Sequence, residues 1–417
     1  MKQRRNTISH VVIGASIILI VIRIGLLVFQ NKSQFMQRFD VGQAEKQYNA
    51  SQWNVSQNDA VDKLLDEWAI KNGYTGWANY TDSTGNKTII ERQKEKVIEA
   101  KKKQGISDST LYTYVGYKYL TGTSPHLLNP EHPPLAKYMI GMSVMVFGNA
   151  ALGSLIAGIL VLILVCVVMY EHTRSLVLSV GTSSIIAWFS LFGDQIVHGP
   201  QLELYQLMFF LAFFYAHTRW LKINKTFYFL IASGLLGCML STKTLLPFLA
   251  LMSAYIFIVH LITISDRKRA IISACMLLAG SGLVFTATYA YYFVHGGNVR
   301  SFIGLQKYIF LFYRTSSIPL FEFMGNYLRL IFTGSWKFWD AARTVSSYSE
   351  WNGTWPVVFS IGMGIVLKQM KRLQPLTVFI LLYNIFLFIT PMFPRYLVLL
   401  FVPLIMDSVM YFSAHKS

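Results

Sequence analysis

Cross-links and cofactor-binding signatures are both scarce in this chain. It has 3 cysteines in 417 residues, and Cys166, Cys238 and Cys275 all fall within apolar runs. No disulfide framework follows, and no metal-ligand spacing appears. No Walker loop, Rossmann glycine pattern or HExxH sequence occurs, so nucleotide-dependent chemistry finds no support. Neither a cofactor nor a metal is expected. Internal repeats of transporter type are not visible either. Charge is sparse: 14% of residues are charged, and 37 basic residues outnumber 20 acidic ones, for a formal net charge of +17. In a soluble protein that surplus would point to nucleic acid. Here 53% of residues are hydrophobic, so the positive-inside rule explains the surplus and no nucleic-acid partner is expected.

What the chain does have is apolar runs of about 20 residues, enough to cross a bilayer core as helix. The expected fold class is an all-α polytopic membrane protein in contact with membrane lipids. The first run, about Ile8 to Phe29, follows Lys2, Arg4 and Arg5 and lacks a small-x-small cleavage site. It reads as an uncleaved anchor with a cytoplasmic N-terminus, and its Arg23 as a snorkelling or structural charge. Further spans are expected over Ala150–Tyr170, Leu176–Phe192, Leu202–Ala216, Phe227–Ser241 and Leu245–Ile264. Others follow over Ile271–Val294, Val357–Leu367, Leu376–Thr390 and Tyr396–Phe412. With the anchor that makes about ten.

The stretch Leu135–Phe147 is short and reads as an interfacial helix. Asp59–Lys71 and Ile89–Lys103 read as amphipathic or charged helices in a long outer loop. The expected organisation is an anchor over 1–30, an outer-side segment over 31–148 and central transmembrane helices over 149–294. A second outer loop over 295–356 and C-terminal transmembrane helices over 357–417 complete it.

Charge tests this topology. The inner loops carry Arg174; Arg219, Lys222 and Lys225; Arg267, Lys268 and Arg269; Lys368, Lys371 and Arg372; and Lys416. The short outer loops are nearly empty of basic residues, Lys243 and Arg395 excepted. The outer loops carry glycosylation sequons at Asn49, Asn54, Asn79, Asn86 and Asn352, which permit modification without establishing it.

Six short segments stand out. Asn129-Pro130-Glu131-His132-Pro133-Pro134-Leu135-Ala136-Lys137-Tyr138 gathers a carboxylate, an imidazole and an ammonium where two prolines stiffen the approach to a helix. Phe39-Asp40-Val41 follows the anchor at the membrane surface. Lys243 and Phe393-Pro394-Arg395-Tyr396 put isolated cations at the outer face, where an anionic phosphate could be held. Ser349-Glu350-Trp351 with Trp355-Pro356 precedes a late span, and Gly199-Pro200-Gln201-Leu202-Glu203 opens an earlier one.

The His132-Pro133-Pro134-Leu135-x-Lys137 run resembles the signature of protein O-mannosyltransferases and related lipid-linked-sugar glycosyltransferases of the GT-C class. The Asp40, Lys243, Arg395 and Trp355-Pro356 segments resemble features of the same family. Val41 stands where the family's second first-loop acid is usual, and Glu203 near where many relatives carry an Asp. The resemblance implies a GT-C-like bundle that transfers a sugar, mannose in that family, from a polyprenyl-phosphate carrier to a hydroxyl on a protein, glycan or lipid. It implies Asp40 as catalytic base, with Glu131 as a backup or as a partner of His132. His132, Lys137, Lys243, Arg395 and Tyr396 would bind donor phosphate or substrate, and Pro133, Pro134, Trp355 and Pro356 would be architectural. Inversion at the anomeric carbon and an active site on the outer face go with it. No retention tail is recognised, so a prokaryotic plasma membrane is expected rather than the endoplasmic reticulum. Alternatives are transfer of another sugar such as aminoarabinose, a lipid-linked-sugar transporter or flippase, and a noncatalytic subunit that keeps the fold.

Overall fold

The structure, a computed structural model, describes residues 2–51, 105–243, 245–314, 320–338 and 344–415. The expected helices at Asp59–Lys71 and Ile89–Lys103, the sequons at Asn54, Asn79 and Asn86, and Lys416 lie outside the described residues. Helices dominate. In chain order they are α1 (Lys2–Gln30), α2 (Lys32–Met36), α3 (Val41–Ala50), α4 (Asp108–Leu120), α5 (Leu135–Phe147), α6 (Ala150–Thr173), α7 (Leu176–Trp188), α8 (Ser190–Val197) and α9 (Leu202–Ile223). Then come α10 (Thr226–Leu240), α11 (Leu245–Thr263), α12 (Arg267–Ala287), α13 (Ala290–Val294), α14 (Val299–Arg314), α15 (Asn326–Thr333), α16 (Thr354–Gln369), α17 (Pro375–Ile389) and α18 (Val398–Ala414). Strands β1 (Ser335–Lys337) and β2 (Val345–Ser347) form an antiparallel pair. The stretch 295–356, expected as a loop, thus carries two helices and a hairpin.

The count of ten spans does not stand. Among the described residues, 4 helices are long and apolar enough to cross a membrane: Ser9–Gln30, Ala150–Thr173, Arg267–Ala287 and Pro394–Ala414. A fifth arises if α7 and α8, bent by 66° at Phe189, count as one span. Leu135–Phe147, Thr226–Leu240, Pro247–Thr263 and Pro375–Ile389 are apolar but fall below 18 residues, short of the roughly 20 that a bilayer core requires. Helix α9 has the length, but it carries Glu203, His217, Arg219 and Lys222 and is buried along most of its course. Its apolar face meets protein, with Phe210 stacked on Phe379 of α17 at 4.0 Å.

Helix α6 runs from one end of the bundle's polar contacts to the other. Its N-cap Asn149 accepts from Ala151 N at 2.6 Å, and Arg174 ends it in a left-handed conformation. Its 24 residues span about 36 Å at 1.5 Å per residue. At its far end Glu171 is shared by Arg174, Arg219 and Lys222 at 3.2, 2.9 and 3.5 Å. The Asn149 end holds the segments singled out above.

Helix α5 occupies 135–147, the range expected for the interfacial helix. It crosses α4 with backbones in contact: a Cβ on Gly116 would lie 2.1 Å from Lys137 O, and one on Gly141 would lie 2.2 Å from Gly116 O. Only glycine permits that approach.

Candidate functional site

Asp40 is positioned by two short helices after α1. Asn149 Nδ2 donates to the carbonyls of Gln34 and Gln37, each at 2.7 Å. Phe39 N donates to Gly148 O at 2.8 Å. These bonds fasten the turn after α1 to the start of α6. Asp40 is then the N-cap of α3: its Oδ1 accepts from Gln43 N at 2.9 Å. The carboxylate is exposed and lines an open cavity of about 310 Å³, together with Gln43 and Gln47 of α3, Ser109 and Thr110 of α4, and Pro200. Behind it, Glu45 Oε1 meets Lys118 Nζ at 2.9 Å and Tyr114 OH at 3.0 Å. Those hydrogen bonds, the lysine's first, hold the Glu45 carboxyl below its ordinary range. Tyr48 packs on Tyr114 at 5.1 Å. Helix α3 is therefore docked on α4 through its rear face, with Asp40 at the front.

The Asn129–Lys137 loop is held from inside. Asn129 has a left-handed φ of 46°, a conformation asparagine tolerates better than most residues. Its Nδ2 donates to Glu131 Oε1. Lys137 is fully buried, and its Nζ donates to the Asn129 and His132 carbonyls, the latter at 2.9 Å. Sequence reasoning had Lys137 facing a ligand; its hydrogen bonds go to the loop that precedes it. Glu131 is 2% exposed and does not line the Asp40 cavity. Pro133 and Pro134 are buried, and Pro134 caps α5. Leu135 N donates to Ser241 O at 3.0 Å, tying this loop to the segment that carries Lys243. His132 sits edge-on to Tyr112 at 5.8 Å. Burial, then the charges of Lys137, Lys243 and Arg395, hold its pKa well below the usual value, so the imidazole is neutral.

The two isolated cations converge. Lys243 Nζ lies 2.5 Å from Glu203 Oε1, and Arg395 Nε lies 2.9 Å from the same oxygen. Arg395 Nη1 also donates to Asp108 Oδ2 at 2.7 Å and to Gln201 Oε1 at 3.0 Å. Lys243 Nζ stands 3.5 Å over the ring of Tyr396, a cation–π contact. Tyr383 OH bonds Tyr396 O at 2.9 Å, fixing the Pro-Arg-Tyr turn. Glu203 is 1% exposed, whereas the Asp108 side chain is 41% exposed. Asp108 escaped the sequence reading: it lies 287 positions from Arg395, and no local pattern links them.

The cation centre and the Asp40 cavity share walls. Asp108 holds Arg395 while the next residues, Ser109 and Thr110, line the cavity. On the other side Gln201 holds Arg395 while Gly199 and Pro200, joined by a cis peptide bond, line the cavity.

The bend between α7 and α8 is sealed by the remaining motifs. Arg23 Nε donates to Ala187 O at 3.3 Å, and its guanidinium lies 5.4 Å from the Trp188 ring centre. Arg23 is thus a structural charge at a broken helix. Ser190 Oγ accepts from Trp355 Nε1 at 3.0 Å and Asn352 Nδ2 at 3.1 Å. Trp355 is fully buried against Phe189, Tyr348 and Phe401, and Pro356 lies in the first turn of α16. Beside this bend, Asp194 Oδ1 meets His198 Nδ1 at 2.5 Å and Asp194 Oδ2 accepts from Gln195 at 3.0 Å. Their four-residue spacing on one helical turn was the available signal.

Among the described residues, no group of three or more His, Cys, Asp or Glu side chains is arranged to hold a metal ion. No family model matches the chain, and no curated protein matches it.

Proposed function

We propose that the protein is a GT-C-like membrane glycosyltransferase that moves a sugar, mannose first among those to test, from a polyprenyl-phosphate carrier to a hydroxyl acceptor. The observation that carries this reading is the Lys243–Glu203–Arg395 centre, beside the His132 loop and sharing walls with the Asp40 cavity. Transfer from a lipid phosphate needs cations where the phosphate charge appears and a carboxylate where the acceptor loses its proton. Both are present at one end of the bundle. The basic surplus at the opposite end supports a cytoplasmic N-terminus and an outward-facing site.

In this reading Asp40 takes the proton from the acceptor hydroxyl. Its second oxygen, Oδ2, does this, since Oδ1 is engaged with Gln43 N. The acceptor oxygen attacks the anomeric carbon from the side opposite the phosphate. The carbon–oxygen bond to the phosphate breaks, and its electron pair stays on the departing lipid phosphate. Lys243 and Arg395 hold that anion, and the single displacement inverts the anomeric centre. General-base assistance contributes about 10²–10⁴-fold. The incoming phosphate displaces Asp108, the more exposed of the two acids on Arg395, while buried Glu203 keeps the cations together.

A transporter reading has one observation in its favour: the 66° break between α7 and α8, of the kind transporters use at binding sites. Arg23 and Ser190 already engage the groups at that break, which favours the enzyme.

The test uses purified protein in lipid with radiolabelled polyprenyl-phosphate mannose and a pool of peptides, glycans and lipids. Label transfer that Asp40→Asn abolishes while donor binding persists supports the reading. Equal transfer by Asp40→Asn removes Asp40 from the mechanism. Passage of the carrier across the bilayer without transfer establishes the transporter.

A further inference from the structure

We propose that the cavity beside Asp40 is a carbohydrate subsite, so that the acceptor is a sugar hydroxyl rather than a peptide side chain or a lipid. This rests on the glycosyltransferase reading for the chemistry, but the binding claim stands on the cavity itself.

Asp40, Gln43 and Gln47 recur at the three- and four-residue spacings that share one helical face. Tyr48, 2% exposed, faces the other way, packed on Tyr114. The exposed face therefore presents one carboxylate and two primary amides to the cavity, and Gln37 adds a third amide from the turn before. None of these three amides makes a side-chain hydrogen bond to another described residue. A planar amide offers donors and an acceptor together, which suits adjacent sugar hydroxyls that must each both give and receive. The facing wall, Ser109 and Thr110, supplies hydroxyls of the same dual character.

The lining is more polar than apolar. Phe39 is the one aromatic ring, and the rest is Ala44, Ala150, Ala151 and Pro200. An acyl chain would find no apolar trough. An extended peptide would find no strand edge, since among the described residues strands occur only in the β1–β2 hairpin. Size agrees: about 310 Å³ is at the lower end of the roughly 300–1,000 Å³ of small-molecule sites, room for one or two sugar rings. Arg38, the one cation of the lining, lies with its stem against Gly148.

The experiment is saturation-transfer NMR on the full chain in nanodiscs, with α-mannobiose, maltose and cellobiose as probes and a Ser/Thr-rich peptide beside them. Gln43→Ala and Gln47→Ala change exposed positions to the best helix former, so folding is kept. Saturation transfer to at least one disaccharide, weakened about tenfold in the double variant, is the expected result. No transfer to any disaccharide, or transfer unchanged in the double variant, overturns the subsite. Label from polyprenyl-phosphate mannose is followed in parallel. Disaccharide binding that needs Gln43 and Gln47, without any label transfer, keeps the subsite and removes the glycosyltransferase. Peptide labelling without disaccharide binding does the reverse.

Discussion

Lys243 and Arg395 approach one and the same oxygen, Oε1 of Glu203, at 2.5 and 2.9 Å. One buried carboxylate thereby holds two cations that no local sequence pattern relates. Removing its charge leaves both ammonium and guanidinium underpaired. Glu203→Gln is expected to cost about 3–5 kcal/mol, the usual consequence of breaking a buried pair. Asp108→Asn, at a much more exposed contact, should cost less than about 1 kcal/mol. Thermal unfolding of both variants in the same detergent checks the contrast; equal losses would contradict the assigned burial.

Asp108 also competes with any phosphate for Arg395. Asp108→Asn should therefore bind radiolabelled polyprenyl phosphate severalfold more tightly than wild type, whereas Arg395→Lys, which loses the planar fork, should bind about tenfold more weakly. Filter binding at fixed ionic strength reads both. Unchanged affinity in both variants would place the phosphate elsewhere.

The neutral state of His132 sets a pH dependence with a definite sign. Its folded pKa lies well below the usual value because of burial and then the three cations. Below the unfolded value of about 6.5, the unfolded chain binds a proton that the folded chain refuses. The penalty is absent above that value and grows as pH falls below it. Between pH 7 and pH 5, wild type should lose stability that His132→Gln does not. Parallel profiles for the two proteins would show that other groups account for the slope.

The crossing of α4 and α5 leaves no space for a methyl group. Gly116→Ala and Gly141→Ala each force two backbones apart, since the added Cβ would meet carbonyl oxygen at 2.1 and 2.2 Å. Each should cost at least about 1–3 kcal/mol, with Gly105→Ala, which has nothing within 4 Å, as the neutral control. The displaced α5 would carry Lys137 away from Asn129 O and His132 O, so both variants should also loosen the His132 loop, seen as faster amide exchange over residues 129–134.

The elements most legible in the sequence were those with a local cause. An unbroken apolar run marks α1 and α6, and the double proline followed by a short apolar stretch marks α5 to the residue. The span count failed because an apolar run does not say what covers it. Leu202–Ile223 is apolar toward protein, and Leu176–Val197 breaks where Phe189 leaves the helical conformation. At the site, Lys243 and Arg395 stood out as cations where cations are rare. Of their acids, Glu203 stood out only by its place at the start of an apolar run, and Asp108 not at all, because its pairing with Arg395 exists only in three dimensions. Lys137 looked like a ligand-facing charge because sequence shows that a lysine follows the prolines, not that its ammonium turns back onto their loop.

The bond between Arg23 and Ala187 bears on how the chain enters a bilayer. Trp188 Nε1 returns it by donating to Leu19 O at 3.2 Å, so α1 and the broken helix complete one another. Helix α1 is made before the broken helix, and Arg23 then waits for a carbonyl 164 residues downstream. A lone arginine in a transmembrane helix is disfavoured by up to about 2.5–3.5 kcal/mol at the bilayer centre and less toward its edge. Insertion of the first helix is thus left unfinished until the broken one arrives, and a generic anchor spliced in its place would insert readily but leave Ala187 without its partner.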